Sequence, residues 1–170
     1  MDLSTKTVFL WPVFFPSLRT VSALVPALQF LPHHLDTRAA RVLLLAIGLQ
    51  ESRFEHRRQI GGPARGFWQF EAGGGIRGVL NHALSRQPAQ GICRQRDTPA
   101  SVSAVYSATE RDDILAAVFA RLLLWTDPKS LPAIGDAAGA WDLYLRTWRP
   151  GKPHPDTWPV LYAQAVKAVT

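Results

Sequence analysis

The chain has 170 residues, 47% of them hydrophobic, and a formal net charge of +6. This length and apolar content favour a single domain that buries a sizeable core. The single cysteine, Cys93, excludes an internal disulfide, so the folded state depends on that core. The basic balance favours an acidic partner, either nucleic acid, an anionic membrane surface or an anionic cell wall, although a solvated basic surface explains the charge equally well.

The N-terminal region carries an apolar run, VFLWPVFF, at residues 8–15. The run is too short and too interrupted by proline to cross a bilayer, which takes about 20 apolar residues. It also lacks the strongly basic start and the small-residue cleavage site of a classical secretory signal. We therefore predict that residues 1–35 form an apolar arm and a short helix, over residues 20–30, that pack on one domain at residues 36–170. Contact of the arm with a membrane or a partner is the alternative.

A long helix is predicted from Asp36, or from Thr37 as the alternative N-cap, to about Phe54. Residues 41–49 are nearly all apolar, which is typical of a helix buried on most sides. The glycine-rich residues 61–78 then break the helix and predict turns or a short hairpin. The adjacent His33 and His34 have no metal-binding spacing, and no phosphate-loop motif occurs, so neither a metal nor a cofactor is predicted.

The C-terminal half predicts further helices. A short helix is expected at residues 76–84, whereas Pro88 and Pro99 predict a loop over residues 86–100. The remaining helices are expected over residues 102–107, 112–125, 133–148 and 159–169. The second of these is expected to begin with a capping box formed by Thr109 and Asp112. The predicted fold class is therefore mainly α, a helical bundle with a small glycine-rich loop or hairpin inset.

The segment from Glu51 to Glu71 combines the groups that a sugar-cleaving cleft requires. Cleavage of a glycosidic bond needs a proton on the leaving oxygen, and a carboxyl supplies it near neutral pH only when removal of water raises its pKa. Glu51, at the end of the apolar run, is the candidate acid, and Ser52 could orient the carboxyl or a sugar amide. The candidate sugar-binding residues offer aromatic faces, an amide and close backbone approach: Gly66, Phe67, Trp68 and Gln69.

This segment resembles the lytic transglycosylases and the goose-type lysozymes, whose pattern is Glu-Ser-x-Phe at a helix end followed by Gly-Ala-x-Gly-Leu-Met-Gln. The matching residues are Glu51, Ser52 and Phe54, then GPARGFWQ at residues 62–69. Gln69 follows Glu51 by 18 residues, the spacing typical of the transglycosylases. The resemblance implies a lysozyme-like fold with Glu51 as the catalytic acid and residues 66–69 along the cleft.

Two departures from the family pattern change the expected site. Phe67 and Trp68 replace the Leu-Met pair and imply a bulkier lining. The downstream Ala-Tyr-Asn-Ala-Gly motif has only a loose counterpart in AWDLY at residues 140–144. Its aromatic role would pass to Trp141 or Tyr144, although a core position explains both residues as well.

The resemblance implies cleavage of the β-1,4 bond between N-acetylmuramic acid and N-acetylglucosamine in peptidoglycan. In a lytic transglycosylase Glu51 alone would serve as acid and base and leave a 1,6-anhydro sugar. In an inverting muramidase a second carboxylate, for which Glu71 is the candidate, would activate water.

The implied partners are the glycan strands of peptidoglycan, in the bacterial periplasm or cell wall. Without a classical signal peptide, delivery would use a phage particle or a secretion apparatus, which the N-terminal arm could contact. A non-catalytic wall-binding or virion protein is one alternative. The other is a nucleic-acid-binding protein that uses Arg57 and Arg58, but these arginines lack the interleaved aromatics of a nucleic-acid surface.

Overall fold

The computed structural model describes residues 24–169 of the chain. Within these residues the fold is mainly α-helical, as predicted, and contains no strand. The helices are α1 (Arg38–Ser52), α2 (Arg77–Asn81), α3 (Arg86–Gln95), α4 (Val102–Ala108), α5 (Asp113–Trp125), α6 (Ala137–Trp148) and α7 (Trp158–Val169). In place of the alternative short hairpin, the glycine-rich segment holds turns, isolated bridges at Arg65 and a π-helical turn, Ala72–Ile76.

Helix α1 is the central element of the core, with every residue from Val42 to Leu49 buried. Its N-cap is Thr37, whose Oγ1 accepts from the Ala40 N–H at 3.1 Å. Asp36, the first choice from the sequence, is not the cap because its carboxylate binds the Arg41 guanidinium at 2.7 and 2.8 Å. The alternative cap predicted from the sequence, Thr37, is therefore the one that the structure has, and the first choice, Asp36, is wrong.

The helix also ends two residues earlier than the expected Phe54. Arg53 and Phe54 both adopt a left-handed φ of 57° and turn the chain back. The Phe54 ring then lies against Gly48, where a Cβ would stand 2.2 Å from the ring. This fold-back leaves Glu51 near the end of α1 rather than inside a longer helix.

The loop predicted over residues 86–100 is wrong, because α3 spans Arg86–Gln95. Pro88 is the third helical residue, and residues of the first turn have no intrahelical partner for their N–H, so proline is tolerated there. The apolar face of α3 buries Ala89, Ile92 and Cys93. Burial raises the pKa of the Cys93 thiol to about 11, which suits a structural side chain.

The other helix starts show which polar residues act as caps. Ser101 caps α4, and Asp112 caps α5 by accepting from the Leu115 N–H at 3.0 Å. Asp112 is thus the N-cap itself and not the third residue of a capping box. Asp136 caps α6, which begins at Ala137, four residues after the predicted start. Of the short helix expected at residues 76–84, only α2, Arg77–Asn81, is α-helical.

Helices α7 and α5 pack against α1, and residues 24–28 form a further helical segment with Leu24 and Leu28 in the same core. The apolar run at residues 8–15 and the start of the helix predicted over residues 20–30 lie outside the described residues. None of the described helices has the length and apolar character needed to cross a bilayer.

Candidate active site

An open groove of about 1500 Å³ runs past the C-terminal end of α1. Its lining comes from Gln50 and Glu51, from the C-terminal ends of α5 and α6, and from residues 59, 61–64, 69–71, 73–75, 77–78, 81, 149–152 and 154. Helix ends and turns meet here, so the groove combines apolar walls with polar and charged side chains. A cavity of this form and size can accommodate an extended ligand.

The carboxyl of Glu51 lies in this groove and accepts a hydrogen bond from the Tyr144 hydroxyl at 2.7 Å. Burial raises its pKa from 4.5 to about 7, the Tyr144 hydrogen bond opposes this shift, and the negative charge of Glu71 adds to it. A carboxyl with this pKa is protonated in a large fraction of molecules at neutral pH, so it can serve as a proton donor and afterwards as a base.

Tyr144 is fixed by an aromatic cluster. Its ring stacks on Trp158 at 5.4 Å with an interplanar angle of 14° and lies 5.2 Å from Trp141. Burial, and then the Glu51 charge, raises the pKa of the Tyr144 phenol, which therefore remains a hydrogen-bond donor. Of the two aromatic residues predicted from α6, Tyr144 lines the groove, whereas Trp141 packs behind it.

The predicted sugar-stacking pair, Phe67 and Trp68, lies in the core and not along the groove. Trp68 is only 2% exposed and donates from Nε1 to the Leu44 carbonyl of α1 at 2.9 Å. Phe67 is 8% exposed and lies between the Phe54 ring and the Arg57 guanidinium. Both side chains instead hold the turn that carries Gln69 against α1.

Gly66 and Ser52 also have structural contacts in place of the predicted ligand contacts. Gly66 has a φ of 72°, and a Cβ there would lie 2.4 Å from the Thr109 carbonyl oxygen. Glycine is thus required by close packing on Thr109. The buried Ser52 hydroxyl donates to the Phe67 carbonyl at 2.7 Å and accepts from the Phe54 N–H at 3.1 Å. Ser52 therefore joins the end of α1 to the Gly66 turn.

Gln69 and Glu71 do line the groove, as expected from the sequence. The Gln69 amide donates to the Gly66 carbonyl at 2.7 Å and to the His56 carbonyl at 3.3 Å, which fixes its orientation. Glu71 is exposed at the start of the π-helical turn, and its charge acts on Glu51. The structure therefore brings Glu51, Tyr144, Gln69 and Glu71 to one groove.

Trp148 and Gln50 are among the groove residues that the sequence prediction missed. Trp148 is half-buried in the groove wall, with its Nε1 donating to the Trp68 carbonyl at 2.9 Å. It follows Tyr144 by one helical turn, and this spacing could have assigned it to the same face. Gln50 accepts from the Thr157 hydroxyl at 3.0 Å and donates to the His154 carbonyl at 3.1 Å, a contact that the sequence does not indicate.

The arginine cluster considered for nucleic-acid binding forms ion pairs. Arg57 binds the Asp113 carboxylate at 2.6 and 2.8 Å, while Arg58 binds Glu110 at 2.8 Å. Arg65 adds a second contact to Glu110 at 3.5 Å. These pairs attach the segment before Gln69 to the start of α5 and neutralise much of its charge.

Within residues 24–169 no group of three or more His, Cys, Asp or Glu side chains could hold a metal ion. Comparison of the chain with models of protein families, with curated proteins and with solved structures found no match. Its function is therefore inferred from the chemistry of the groove.

Proposed function

We propose that this protein cleaves the β-1,4 bond between N-acetylmuramic acid and N-acetylglucosamine in peptidoglycan, with Glu51 as general acid and base in a lysozyme-like domain. The observation that carries the proposal is the Glu51 carboxyl, hydrogen-bonded by Tyr144 in an open groove and shifted by burial to a pKa of about 7. The spacing from Glu51 to the groove-lining Gln69 supports the same assignment.

In the transglycosylase route Glu51 acts twice. Tyr144 holds Oε1, so the other carboxyl oxygen is available to protonate the leaving glycosidic oxygen. The resulting carboxylate then accepts the proton of the 6-hydroxyl of muramic acid as that oxygen attacks the anomeric carbon. The leaving sugar departs with the first proton, and the product is a 1,6-anhydro sugar.

The surface for sugar rings is assigned to Trp148 in place of Phe67 and Trp68, because Tyr144 is only 3% exposed and serves as the hydrogen-bond donor to Glu51. Aromatic faces stack on the apolar faces of pyranoses, and the Trp148 indole is held by its bond to the Trp68 carbonyl. Gln69, anchored at its amide nitrogen, presents a polar group to the same groove.

Hydrolysis is the second candidate, because Glu71 lines the same groove and raises the Glu51 pKa. In an inverting muramidase Glu71 would activate water across a separation of about 6.5–9.5 Å from the acid. Reaction in heavy-oxygen water followed by mass spectrometry distinguishes the routes. An unlabelled product whose mass is one water below that of the hydrolysis product supports the anhydro route. Incorporation of the label into the product supports hydrolysis.

The direct test is zymography on purified peptidoglycan with wild type beside Glu51→Gln. Removal of the general acid is expected to lower the cleavage rate by roughly a thousandfold while the fold is retained. A wild-type protein that binds peptidoglycan without cleaving it would contradict the enzymatic proposal and favour a non-catalytic wall-binding or virion protein.

The proposed site of action is the bacterial periplasm or cell wall. A net charge of +6 favours an anionic envelope. We also propose that a phage particle or a secretion apparatus delivers the protein and that the N-terminal arm contacts it. A specific nucleic-acid role is disfavoured because Arg57 and Arg58 are ion-paired.

A further inference from the structure

One end of the groove carries cations that have no carboxylate partner. Arg149 and Lys152 line it, and both side chains are exposed. Among residues 24–169 no Asp or Glu forms an ion pair with either of them. Arg146, which lines the same groove, differs because Asp127 binds it at 2.9 Å. Within residues 24–169, these two groove cations are therefore not neutralised by a carboxylate.

The Arg149 side chain is partly fixed in place. The residue ends α6 with a left-handed φ of 50°, and its Nε donates to the Arg146 carbonyl at 3.3 Å. Both Nη atoms are left without a partner among the described residues. A guanidinium held at Nε with its Nη atoms available suits a carboxylate, which binds through charge-assisted hydrogen bonds.

The segment that carries these cations is attached next to Glu51. Gln50, the preceding residue of α1, holds the His154 carbonyl and the Thr157 hydroxyl through its amide group. On the other side, the bond from Trp148 to Trp68 attaches the end of α6 to the Gln69 turn. Residues 149–154 therefore have a fixed position beside the proposed acid.

We propose that Arg149 and Lys152 form a subsite for the acidic peptide branch of peptidoglycan, a proposal that rests on the function proposed above. The muramic acid next to the scissile bond carries its peptide on the 3-lactyl group, and that peptide has free carboxylates. Wall phosphate polymers attach to the 6-oxygen of muramic acid, which must be free when it acts as the nucleophile. At the scissile residue, the peptide is thus the anionic branch compatible with the chemistry.

The test compares two substrates: peptidoglycan freed of phosphate polymers, and the same glycan after an amidase has removed its peptides. In the double variant Arg149→Gln/Lys152→Gln, the ratio of kcat/KM on peptide-bearing to peptide-free glycan is expected to fall about fivefold to tenfold, mainly through KM. The matched control is Arg86→Gln/Arg94→Gln, which removes two exposed charges from α3 outside the groove and should leave the ratio unchanged.

A ratio that stays the same in the groove variant, or that falls equally in the control, would overturn the subsite. A binding measurement tests the subsite independently of the proposed cleavage activity. If wild type cleaves neither glycan, selective retention of peptide-bearing glycan that is lost in the double variant still supports the subsite. Equal retention of both glycans overturns it. Unchanged thermal unfolding of each variant shows that the fold is intact.

Discussion

Among single residues, Glu51 and Tyr144 determine the chemistry of the groove. Burial favours the neutral carboxyl and raises its pKa, and the 2.7 Å hydrogen bond from Tyr144 favours the ionised form and limits the shift. The two effects leave the pKa at about 7. The ionisable carboxyl and the Tyr144 hydrogen bond can each be removed by one substitution that keeps the shape of the side chain.

Glu51→Gln is expected to change how stability depends on pH. The folded state raises the Glu51 pKa from 4.5 to about 7, so the carboxyl costs no stability below pH 4.5 and costs more as pH rises towards 7. The variant should resemble wild type at pH 4 and be more stable at pH 8 by up to roughly 3 kcal/mol. Urea unfolding at both pH values measures this difference.

The control for that experiment is Glu55→Gln, which changes an exposed carboxyl by the same chemistry. Its effect on stability should be small. A Glu51→Gln variant with the same pH dependence as wild type would contradict the raised pKa.

Tyr144→Phe removes the hydrogen bond that lowers the Glu51 pKa. The pKa is therefore expected to rise above about 7, and the alkaline limb of the kcat/KM profile should move to higher pH. The measurement is peptidoglycan cleavage between pH 5 and 9. Tyr162→Phe is the control, since its hydroxyl contacts Gly135 and Ala133, and a limb that moves to lower pH in Tyr144→Phe would oppose the assignment.

Among elements, helix ends decide where the groove forms. α1 ends near Glu51 because Arg53 and Phe54 turn left-handed and Phe54 packs on Gly48. α6 ends at Trp148 with left-handed Arg149, which brings the cationic segment to the groove. In α3, by contrast, the proline lies in the first turn of a helix. From the sequence this proline predicted a loop, but a helix tolerates proline in its first turn.

Gly91→Ala tests the helical state of α3. Gly91 lies in the helix, and a Cβ at this position would meet nothing within 4 Å, so alanine is expected to stabilise the protein by about 0.5–1 kcal/mol. Gly151→Ala, also in open space but outside the helices, is expected to give a smaller gain. Chemical unfolding measures both, and a destabilised Gly91→Ala protein would contradict the helix.

In the molecule as a whole, contacts distant in sequence hold the Gln69 turn between α1 and the start of α5. Ser52 binds it from α1, and Gly66 packs on the Thr109 carbonyl. The ion pairs of Arg58 and Arg65 with Glu110 add to this attachment. These contacts therefore hold the part of the groove wall that carries Gln69 in a fixed position relative to α1 and α5.

Gly66→Ala is expected to destabilise the fold by at least about 2 kcal/mol, because a Cβ would meet the Thr109 oxygen at 2.4 Å in a left-handed conformation. Gly73→Ala, where a Cβ meets nothing within 4 Å, is the control. Urea unfolding compares the two variants. Equal stabilities would show that the turn does not depend on this close contact.

Local sequence patterns were enough to predict the mainly helical fold and the place of Glu51 at the end of a buried helix, because apolar spacing reports directly on helices. A local resemblance also led to Gln69 and Glu71 as groove residues. The pattern did not choose Thr37 over Asp36 as the cap of α1, since that choice depended on the Arg41 side chain.

Which aromatic side chains meet the groove was settled by the packing of elements distant in the chain. Phe67 and Trp68 lie next to Gln69 in sequence, yet they pack into the core, while Tyr144 and Trp148 reach the groove from α6. The Glu51–Tyr144 bond joins residues 93 positions apart. A sequence pattern shows that a side chain is apolar or aromatic, but which surface it covers depends on the helices packed against it.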